Sequence, residues 1–373
     1  MNIIKAPQLQ IFNALQSVAG IVEKRHTIPI LANVLINKTV DYIELISSDK
    51  ELQLRTRLTL GGDDEITRTT INARKLTDIL RTMPSDQIIT LTTQANKVVV
   101  KGGKSRFTIQ TLPAEDFPLI AEAQDFGPTL TLSQKTFKAL INQVQFAMAV
   151  NDIRYYLNGV LLETDGNFFK MVATDGHRMA FAQAKLETTL PLQQVILPRK
   201  TVLELQRLLK DAKDDNEDLP INLSFASNQI RFEFSGMEFI SKLVEGKFPD
   251  YNRVLPKSYD NKIEMSRSGL LASLQRAAIL TAEKFKCVRV FLEPGMLKLA
   301  ATNDDQEEAW EEQEIEYSGS AVELGFNVNY LIDALAGMTH ENIEMSFQDA
   351  NAGVLFTIPN NTDFKYVVMP MRA

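Results

Sequence analysis

The sequence predicts an α+β protein of three repeated domains, each built from two similar halves with antiparallel sheets and helices on one face. Two observations lead to this prediction. The chain has 373 residues, which is more than one hydrophobic core usually serves and favours two or three domains. The segments 35–49, 160–175 and 290–303 also share one plan: an apolar strand, an acidic or glycine turn, and an alternating strand that ends in Ser or Thr followed by Asp or Asn.

The repeat sets the order of elements within each domain. Apolar side chains with helical spacing precede the three hairpins, at residues 9–18, 137–144 and 270–277. A second helix is predicted after each hairpin, at 73–83, 198–210 and 327–338. Single amphipathic helices between runs of strands favour antiparallel sheets over a doubly wound parallel sheet. We therefore expect domains at residues 1–125, 126–256 and 257–373.

The composition excludes several classes of protein. Hydrophobic residues make up 45% and charged residues 23% of the chain, which argues against a disordered, collagen-like or membrane protein. The single cysteine, Cys287, allows neither an intrachain disulfide nor a multi-thiolate metal site, and no cleavable or membrane-length apolar stretch is present. We expect a cytoplasmic protein with no cofactor, no metal and no membrane contact.

The charge is unevenly placed along the chain. The formal net charge is −7, but the six predicted helices with their flanking residues together carry +7, so the remaining chain carries −14. The segments counted are 7–22, 71–83, 133–149, 198–210, 268–280 and 327–338. If these helices line one surface, that surface can contact DNA phosphates without reading the base sequence. The alternative is that the basic side chains only solvate helix faces; the residues concerned are Arg74, Lys75, Arg199, Lys200 and Arg207.

Two other classes of function are weighed against a DNA-enclosing protein. An enzyme could use Asp175, His177 and Arg178 for acid–base or phosphate chemistry. The three histidines fall in different repeats, and no phosphate loop, metalloprotease motif or nucleophile elbow is present. A non-topological DNA-binding scaffold is the other alternative, although the sequence has no helix-turn-helix, zinc-finger or RNA-binding motif for base readout.

Several motifs, in order along essentially the whole chain, resemble those of the bacterial DNA polymerase III beta subunits, the beta sliding clamps. These motifs include residues 27–31 (TIPIL), 154–159 (RYYLNG), 172–178 (VATDGHR), 246–251 (GKFPDY) and 366–372 (YVVMPMR). The resemblance implies a non-enzymatic DNA sliding clamp that encircles duplex DNA and confers processivity on the replicative polymerase. It also implies a ring-shaped, head-to-tail homodimer of six clamp domains, with two helices of each domain lining a central channel and the sheets outside.

The resemblance further implies a hydrophobic pocket that binds short peptides of the replicative polymerase alpha subunit, the clamp loader, other polymerases and repair proteins. Apolar and Met side chains with a polar rim suit extended peptides with Leu or Phe anchors. From the residues alone, the final strand at 367–369 also fits an ordinary buried core strand. The matching positions are Leu157, Thr174, Gly176, His177, Arg178, Met179, Pro249, Arg253, Val254, Asn327, Tyr330, Val367, Val368, Met369, Pro370, Met371 and Arg372.

Two further surfaces follow from the resemblance. Residues expected to contact double-stranded DNA or the unpaired template are Arg25, Asn151, Tyr155, Tyr156, Arg199 and Lys200. The expected dimer interface joins an edge of the first domain to the partner's third domain, where Trp310 interrupts an acidic stretch. Its residues are Lys104, Arg106, Phe107, Ile109, Ile279, Leu280, Asp305, Glu307 and Glu308. Residues 106–109 resemble an exposed edge strand that needs a partner.

Overall fold

The computed structural model describes residues 2–22, 27–59, 65–209, 219–256 and 259–371. The chain forms two compact units, one of Met1–Lys135 with Arg207–Leu243 and the other of Thr136–Gln206 with Val244–Ala373. Both units take part of the second repeat, so the domain bounds at 1–125, 126–256 and 257–373 stay predictions. Among the described residues, every strand pairing is antiparallel, as the sequence predicts.

The first repeat runs strand, helix, four strands, helix, three strands. Its elements are β1 (Asn2–Pro7), α1 (Gln8–Ala19), β2 (Asn33–Lys38), β3 (Ile43–Ser48), β4 (Leu52–Leu58), β5 (Thr67–Asn72), α2 (Ala73–Arg81), β6 (Ile88–Gln94), β7 (Lys97–Gly102) and β8 (Ser105–Gln110).

The second repeat follows the same plan with two long, folded strands. Its elements are β9 (Leu130–Ser133), α3 (Gln134–Val144), β10 (Gly159–Thr174), β11 (Arg178–Pro198), α4 (Arg199–Leu208), β12 (Pro220–Phe225), β13 (Gln229–Phe234) and β14 (Met237–Lys242). Lys170 Nζ lies 3.0 Å from Glu163 Oε1, whereas seven residues of extended strand span about 23 Å. β10 therefore folds back on itself at Gly166, which has a left-handed φ of 61°, and forms the predicted hairpin.

The third repeat restores the order of the first. Its elements are β15 (Asn261–Ser266), α5 (Arg267–Ala277), β16 (Cys287–Glu293), β17 (Met296–Thr302), β18 (Glu308–Glu314), β19 (Val322–Asn327), α6 (Val328–Gly337), β20 (Asn342–Phe347), β21 (Val354–Ile358) and β22 (Asn361–Val368). All six predicted helices are thus present, and the predicted α+β repeat is confirmed.

Local sequence explains where the helices begin and which face they bury. α1 buries Ile11, Leu15 and Val18, which share one face at helical spacing. The side chains of Asn72, Ser266 and Asn327 cap α2, α5 and α6 by accepting a hydrogen bond from a backbone amide in the first turn. Such caps each stabilise a helix by about 1 kcal/mol.

The strands form four sheets, and two of these sheets combine strands from different repeats. The order β5-β2-β3-β4-β14-β13-β12-β9 joins the first repeat to the second through β4 and β14, within one unit. The order β10-β11-β22-β21-β20-β15 joins the second repeat to the third through β11 and β22, within the other unit. The sheets β1-β6-β7-β8 and β18-β17-β16-β19 each contain strands of one repeat only. Two of their four end strands, β8 and β18, are therefore open edges within the described chain.

Candidate functional site

A cavity of about 370 Å³ opens beside the turn between β10 and β11. It lies entirely within one unit. Its walls are mostly apolar, with two arginines and a histidine among the lining side chains. The lining residues are Arg154, Tyr156, Leu157, Thr174, Gly176, His177, Arg178, Met179, Phe248, Pro249, Tyr251, Val254, Val367 and Met369.

The turn at Thr174–Arg178 is held by its own side chains. Thr174 Oγ1 donates to the Arg178 carbonyl at 2.7 Å and accepts from the Gly176 amide at 3.1 Å. Asp175 Oδ1 accepts from the amides of His177 and Arg178 at 2.9 and 3.1 Å. Gly176 has a φ of 91°, a conformation that side-chain-bearing residues rarely adopt. The sequence TDGHR therefore fixes one wall of the cavity.

Arg178 ties this turn to the third repeat. Its guanidinium donates to Asp175 Oδ2 at 3.0 Å, to Asp333 Oδ2 at 2.8 Å and to the Phe146 carbonyl at 2.6 Å, and lies 4.2 Å from the centroid of the Tyr330 ring. Burial alone would lower the pKa of Arg178, but the hydrogen bond to Asp333 and the nearby negative charges raise it above its usual value. The Arg178 side chain is thus already bound by groups of its own chain.

A buried polar network holds Tyr251, another residue that lines the cavity. Tyr251 Oη donates to Glu163 Oε1 at 2.7 Å, and the same carboxylate accepts from Lys170 Nζ at 3.0 Å and from the Gln194 amide at 2.5 Å. Burial, followed by the hydrogen bond to Glu163, raises the pKa of Tyr251 well above its usual value. The phenol therefore stays a donor at neutral pH and anchors the wall segment at Phe248–Tyr251 to β10.

Replacing Tyr251 by Phe is expected to lower the free energy of unfolding by about 1–3 kcal/mol, because a buried hydrogen bond to a charged group is lost. Urea denaturation of the two proteins measures the difference. Tyr155→Phe is the matched control, since Tyr155 is 57% exposed and its change should leave the urea midpoint in place. Equal midpoints for Tyr251→Phe and the wild type would contradict the anchoring role.

Ten of the seventeen residues predicted for the pocket line this one cavity: Leu157, Thr174, Gly176, His177, Arg178, Met179, Pro249, Val254, Val367 and Met369. The floor merges with a buried cluster that includes Val172, Phe181 and Ile196. Val367 is 2% exposed and part of that cluster, so it is a core residue that also faces the cavity. Val254 and Met369 are 46% and 41% exposed and form the rim.

Six other predicted residues, all within the described chain, do not line the cavity. Arg253 pairs with Asp250 at 3.1 Å and its side chain is 86% exposed. Asn327 caps α6, and Tyr330 packs against Arg178. Val368 is fully buried, and Pro370 and Met371 are half-buried. Arg372 lies outside the described residues.

Four lining residues were not predicted for the pocket. Phe248 and Tyr251 stand in the motif GKFPDY beside Pro249, and Arg154 and Tyr156 stand in RYYLNG beside Leu157. The sequence signal that could have identified them is that all four belong to motifs on which the family resemblance rests. Tyr156, which is predicted to contact DNA, also lines the cavity, and its ring centroid lies 6.0 Å from that of Tyr155.

The predicted DNA loop adjoins the cavity through Arg154. Its guanidinium donates to both carboxylate oxygens of Asp152, at 3.0 and 2.8 Å, and to the Asp175 carbonyl at 3.3 Å. The hydrogen bonds from Arg154 lower the pKa of Asp152 to about 2, so this carboxylate is ionised at neutral pH. Asn151 has a left-handed φ of 55°, and Ile153 is 96% exposed. The loop thus presents apolar and aromatic side chains to solvent.

The remaining residues predicted to contact DNA lie outside this loop. Arg199 and Lys200 begin α4 and are half-buried. The Arg199 amide donates to the Asn158 carbonyl at 3.0 Å, which links α4 to the loop. Arg25 lies outside the described residues.

The residues predicted for the dimer interface lie on or beside the two open edges. On β8, Arg106 and Phe107 are exposed and Ile109 is buried, while Lys104 is exposed in the preceding turn. Near β18, Asp305, Glu307 and Glu308 are exposed. Ile279 and Leu280 belong to a short 3-10 helix after α5, where Ile279 is 77% exposed. One edge is basic and the other acidic.

In the cluster Asp175, His177 and Arg178, which an enzyme could have used, the side chains of Asp175 and Arg178 are held in structural contacts. The carboxylate of Asp175 accepts from two backbone amides and from Arg178. In the described parts of the chain no group of three or more His, Cys, Asp or Glu is arranged to hold a metal ion. Nor is any helix within those parts both long and apolar enough to cross a bilayer.

Comparisons with known proteins agree over the whole chain. Three family descriptions match: the N-terminal domain of the DNA polymerase III beta subunit over residues 3–121, its central domain over 131–250 and its C-terminal domain over 252–372. The beta sliding clamp of Pseudomonas putida is 44% identical over 96% of both chains. That of Escherichia coli K12 is 42% identical over 96% of both chains.

Solved structures give the same result. The crystal structure of the DNA polymerase III subunit beta from Pseudomonas aeruginosa is 40% identical, covers 100% of both chains and has a TM-score of 0.94. A clamp of the same organism bound to griselimycin is also 40% identical, covers 99% of both chains and has a TM-score of 0.93. A Caulobacter crescentus beta sliding clamp is 30% identical, covers 99% of this chain and 98% of that one, and has a TM-score of 0.92. The chain therefore consists of three clamp domains and belongs to the family of bacterial DNA polymerase III beta subunits, the beta sliding clamps.

Proposed function

We propose that this sliding clamp encircles duplex DNA as a head-to-tail homodimer and tethers polymerases to it through the cavity beside Arg178. The clamp is a processivity factor rather than an enzyme. The observation that carries the ring is the repeated sheet junction. Within the chain, the strand that follows the hairpin of one repeat pairs with the last strand of the next repeat. These pairs are β4 with β14 and β11 with β22. The same step applied to the third repeat pairs β18 with β8 of a second copy.

The exposure of Phe107 supports this pairing. Its equivalents in the second and third repeats, Phe239 and Tyr366, are fully buried at the two internal junctions, where they pair with Leu54 and Ala180. Phe107 itself is 37% exposed. A second copy with its basic and acidic edges in register would bury Phe107 and pair both β8 and β18, because a two-fold head-to-tail ring repeats the same junction twice.

Contacts with DNA are proposed for the helices and for the loop Asn151–Tyr156. The six helices carry a formal net charge of +7, although the whole chain carries −7. Contacts of basic side chains with phosphates are independent of sequence. Tyr155, which is 57% exposed, is positioned to stack on an unpaired base, and such stacking also tolerates any sequence. Arg25, Arg199 and Lys200 complete the proposed set.

For the cavity we propose short extended peptides of the replicative polymerase alpha subunit, the clamp loader, other polymerases and repair proteins. Leu157, Met179 and Val367 form an apolar floor, and Arg154 and His177 supply polar groups at its margin. Such a groove suits leucine or phenylalanine anchors. The griselimycin bound to a Pseudomonas aeruginosa clamp supports a ligand of peptide size for this chain as well. We place these interactions in the cytoplasm.

Retention on circular DNA tests the ring. The protein is loaded onto nicked plasmid with a clamp loader and ATP, isolated in about 0.5 M salt, where simple phosphate contacts weaken steeply, and the plasmid is then cut once. We expect stable retention on the circle and release after cutting. The control is a plasmid that carries a tightly bound protein on each side of the cutting site, so that both ends of the linear DNA are blocked. The clamp should then stay on the DNA after cutting. Retention on unblocked linear DNA would instead support a non-topological DNA-binding scaffold.

A further inference from the structure

Trp310 is the single tryptophan of the chain, and it stands on the open edge strand β18. Its side chain is 55% exposed. Its ring stacks on Phe291 with centroids 6.2 Å apart and an interplanar angle of 18°. The Arg289 guanidinium lies 5.5 Å from the Phe291 centroid on the same sheet. One face of Trp310 is thus covered, and the side toward the open edge is not.

The repeat assigns Trp310 an equivalent position in each of the other two domains. Across the β3–β4 turn Ser48 pairs with Gln53, and across the β17–β18 turn Thr302 pairs with Glu308. Two residues further along each strand stand Arg55 and Trp310. Across the β10–β11 turn Thr174 pairs with Met179, and the same count leads to Phe181.

At both internal junctions this position forms a cross-strand contact with a charged partner. Arg55 pairs with Glu238 in register, and the two side chains form a salt bridge of 2.9 Å. Phe181 pairs with Lys365 in register, and Lys365 Nζ lies 5.6 Å from the centroid of the Phe181 ring. The Arg55 side chain is 19% exposed and Phe181 is 5% exposed. The contact therefore shields this position wherever the junction is formed.

The residue of β8 equivalent to Glu238 follows from the hairpin turns. Phe234 pairs with Met237 across the β13–β14 turn, and Gly102 pairs with Ser105 across the β7–β8 turn. One residue further stand Glu238 and Arg106. Arg106 is exposed, and within the described chain it forms no salt bridge.

The side chains of Trp310 and Arg106 also lie on matching faces of their sheets. On β18, Glu311 and Gln313 contact Arg276 and Ser273 of α5, so Trp310 points away from the helices. On β8, Ile109 is buried and Arg106 has the opposite parity, since side chains alternate along a strand. A sheet continued from β18 into β8 of a second copy therefore places Arg106 and Trp310 on the same face.

We propose that Trp310 stacks on the guanidinium of Arg106 from a second copy of this chain, as the cation–π contact of the third, intermolecular junction. This inference rests on the head-to-tail ring of the proposed function and assigns it a register, with Trp310 opposite Arg106 and Ala309 opposite Phe107. An arginine over a tryptophan face is the favoured form of this contact. The stack then runs Arg289, Phe291, Trp310 and the second copy's Arg106.

Because the chain has one tryptophan, its fluorescence reports on the surroundings of Trp310 alone. Acrylamide quenching is measured on the wild-type dimer and on Phe107→Asp, whose charge at the junction provides a monomer for reference, with the mass of each checked by sedimentation. We expect quenching to be several-fold weaker in the dimer. Arg106→Ala should restore quenching in whatever dimer remains. Thr108→Ala, on the same face of β8, is the control and should leave quenching unchanged.

Sedimentation equilibrium of Trp310→Ala, Arg106→Ala and the double variant measures the coupling. Each single change should raise the dimer dissociation constant about tenfold or more, because a desolvated cation–π contact is lost at both junctions. The double variant should be little weaker than either single one. Two results would overturn the Trp310 contact and leave the ring intact. One is a stable dimer in which acrylamide reaches the tryptophan as easily as in the monomer. The other is a double variant whose loss of dimer affinity equals the sum of the two single losses in free energy. No dimer at any concentration would overturn the ring together with the contact.

Discussion

Replacing Arg178 by Met is expected to lower the free energy of unfolding by about 2–4 kcal/mol, somewhat less than for a fully buried ion pair, because the Arg178 side chain is 9% exposed but that of Asp333 is 41% exposed. The methionine keeps most of the side-chain volume but leaves Asp333, Asp175 and the Phe146 carbonyl without their shared donor. It also removes the cation from the face of Tyr330. The turn at Thr174–Arg178 and helix α6 then lose their common contact.

Urea denaturation followed by Trp310 fluorescence measures this change, because Trp310 and Arg178 belong to the same compact unit. Arg253→Met is the matched control. Both arginines were predicted for the peptide pocket, but the Arg253 side chain is 86% exposed and, among the residues that the structure describes, forms a salt bridge only with Asp250, three residues away. Its replacement should change stability by no more than about 0.5 kcal/mol. Similar losses for the two variants would show that the contacts of Arg178 are not the source of its effect.

The contrast between these two arginines illustrates what sequence could supply. The spacing of apolar residues predicted the first helix of each repeat, since packing one face against a sheet requires that spacing whatever the tertiary detail. The second helix of each repeat was predicted from its place after the hairpin. The repeats themselves predicted the recurring order of strands. Neither signal contains the position of Asp333 relative to Arg178, which are 155 residues apart. Which arginine becomes a buried tie and which stays in solvent depends on tertiary packing alone.

The cavity was predictable in part for the same reason. Motif resemblance supplied the turn Thr174–Met179 and the strand at Val367–Met369, which β-pairing then brings side by side. It also included Asn327, whose side chain is used as a helix cap. It left out Tyr251, whose position depends on a hydrogen bond to Glu163 in a distant strand. Sequence motifs identify segments near the site, but side-chain direction decides which residues face it.

Truncating Met369 to Ala is expected to weaken peptide binding about tenfold, or about 1.4 kcal/mol. A bound peptide would cover a methionine side chain that is half-exposed in the free protein, and full burial of such a side chain is worth about 1.5–3 kcal/mol. Met369 lies at the rim of the cavity and its amide donates to the His177 carbonyl at 2.9 Å. That backbone bond survives the truncation, and the side chain is already 41% exposed. Folding should therefore be preserved while the apolar wall is lost.

Fluorescence anisotropy with a fluorescein-labelled extended pentapeptide that ends in leucine and phenylalanine measures this effect. Val254→Ala, on the same rim, should weaken binding in the same direction. Leu192→Ala is the matched control, because Leu192 is 67% exposed on β11 and does not line the cavity. Unlabelled griselimycin should displace the peptide from the wild type. If both rim variants bind the peptide as tightly as the Leu192 variant does, the peptide binds elsewhere, since truncating two walls of the true site removes contact area that no other part of the cavity replaces.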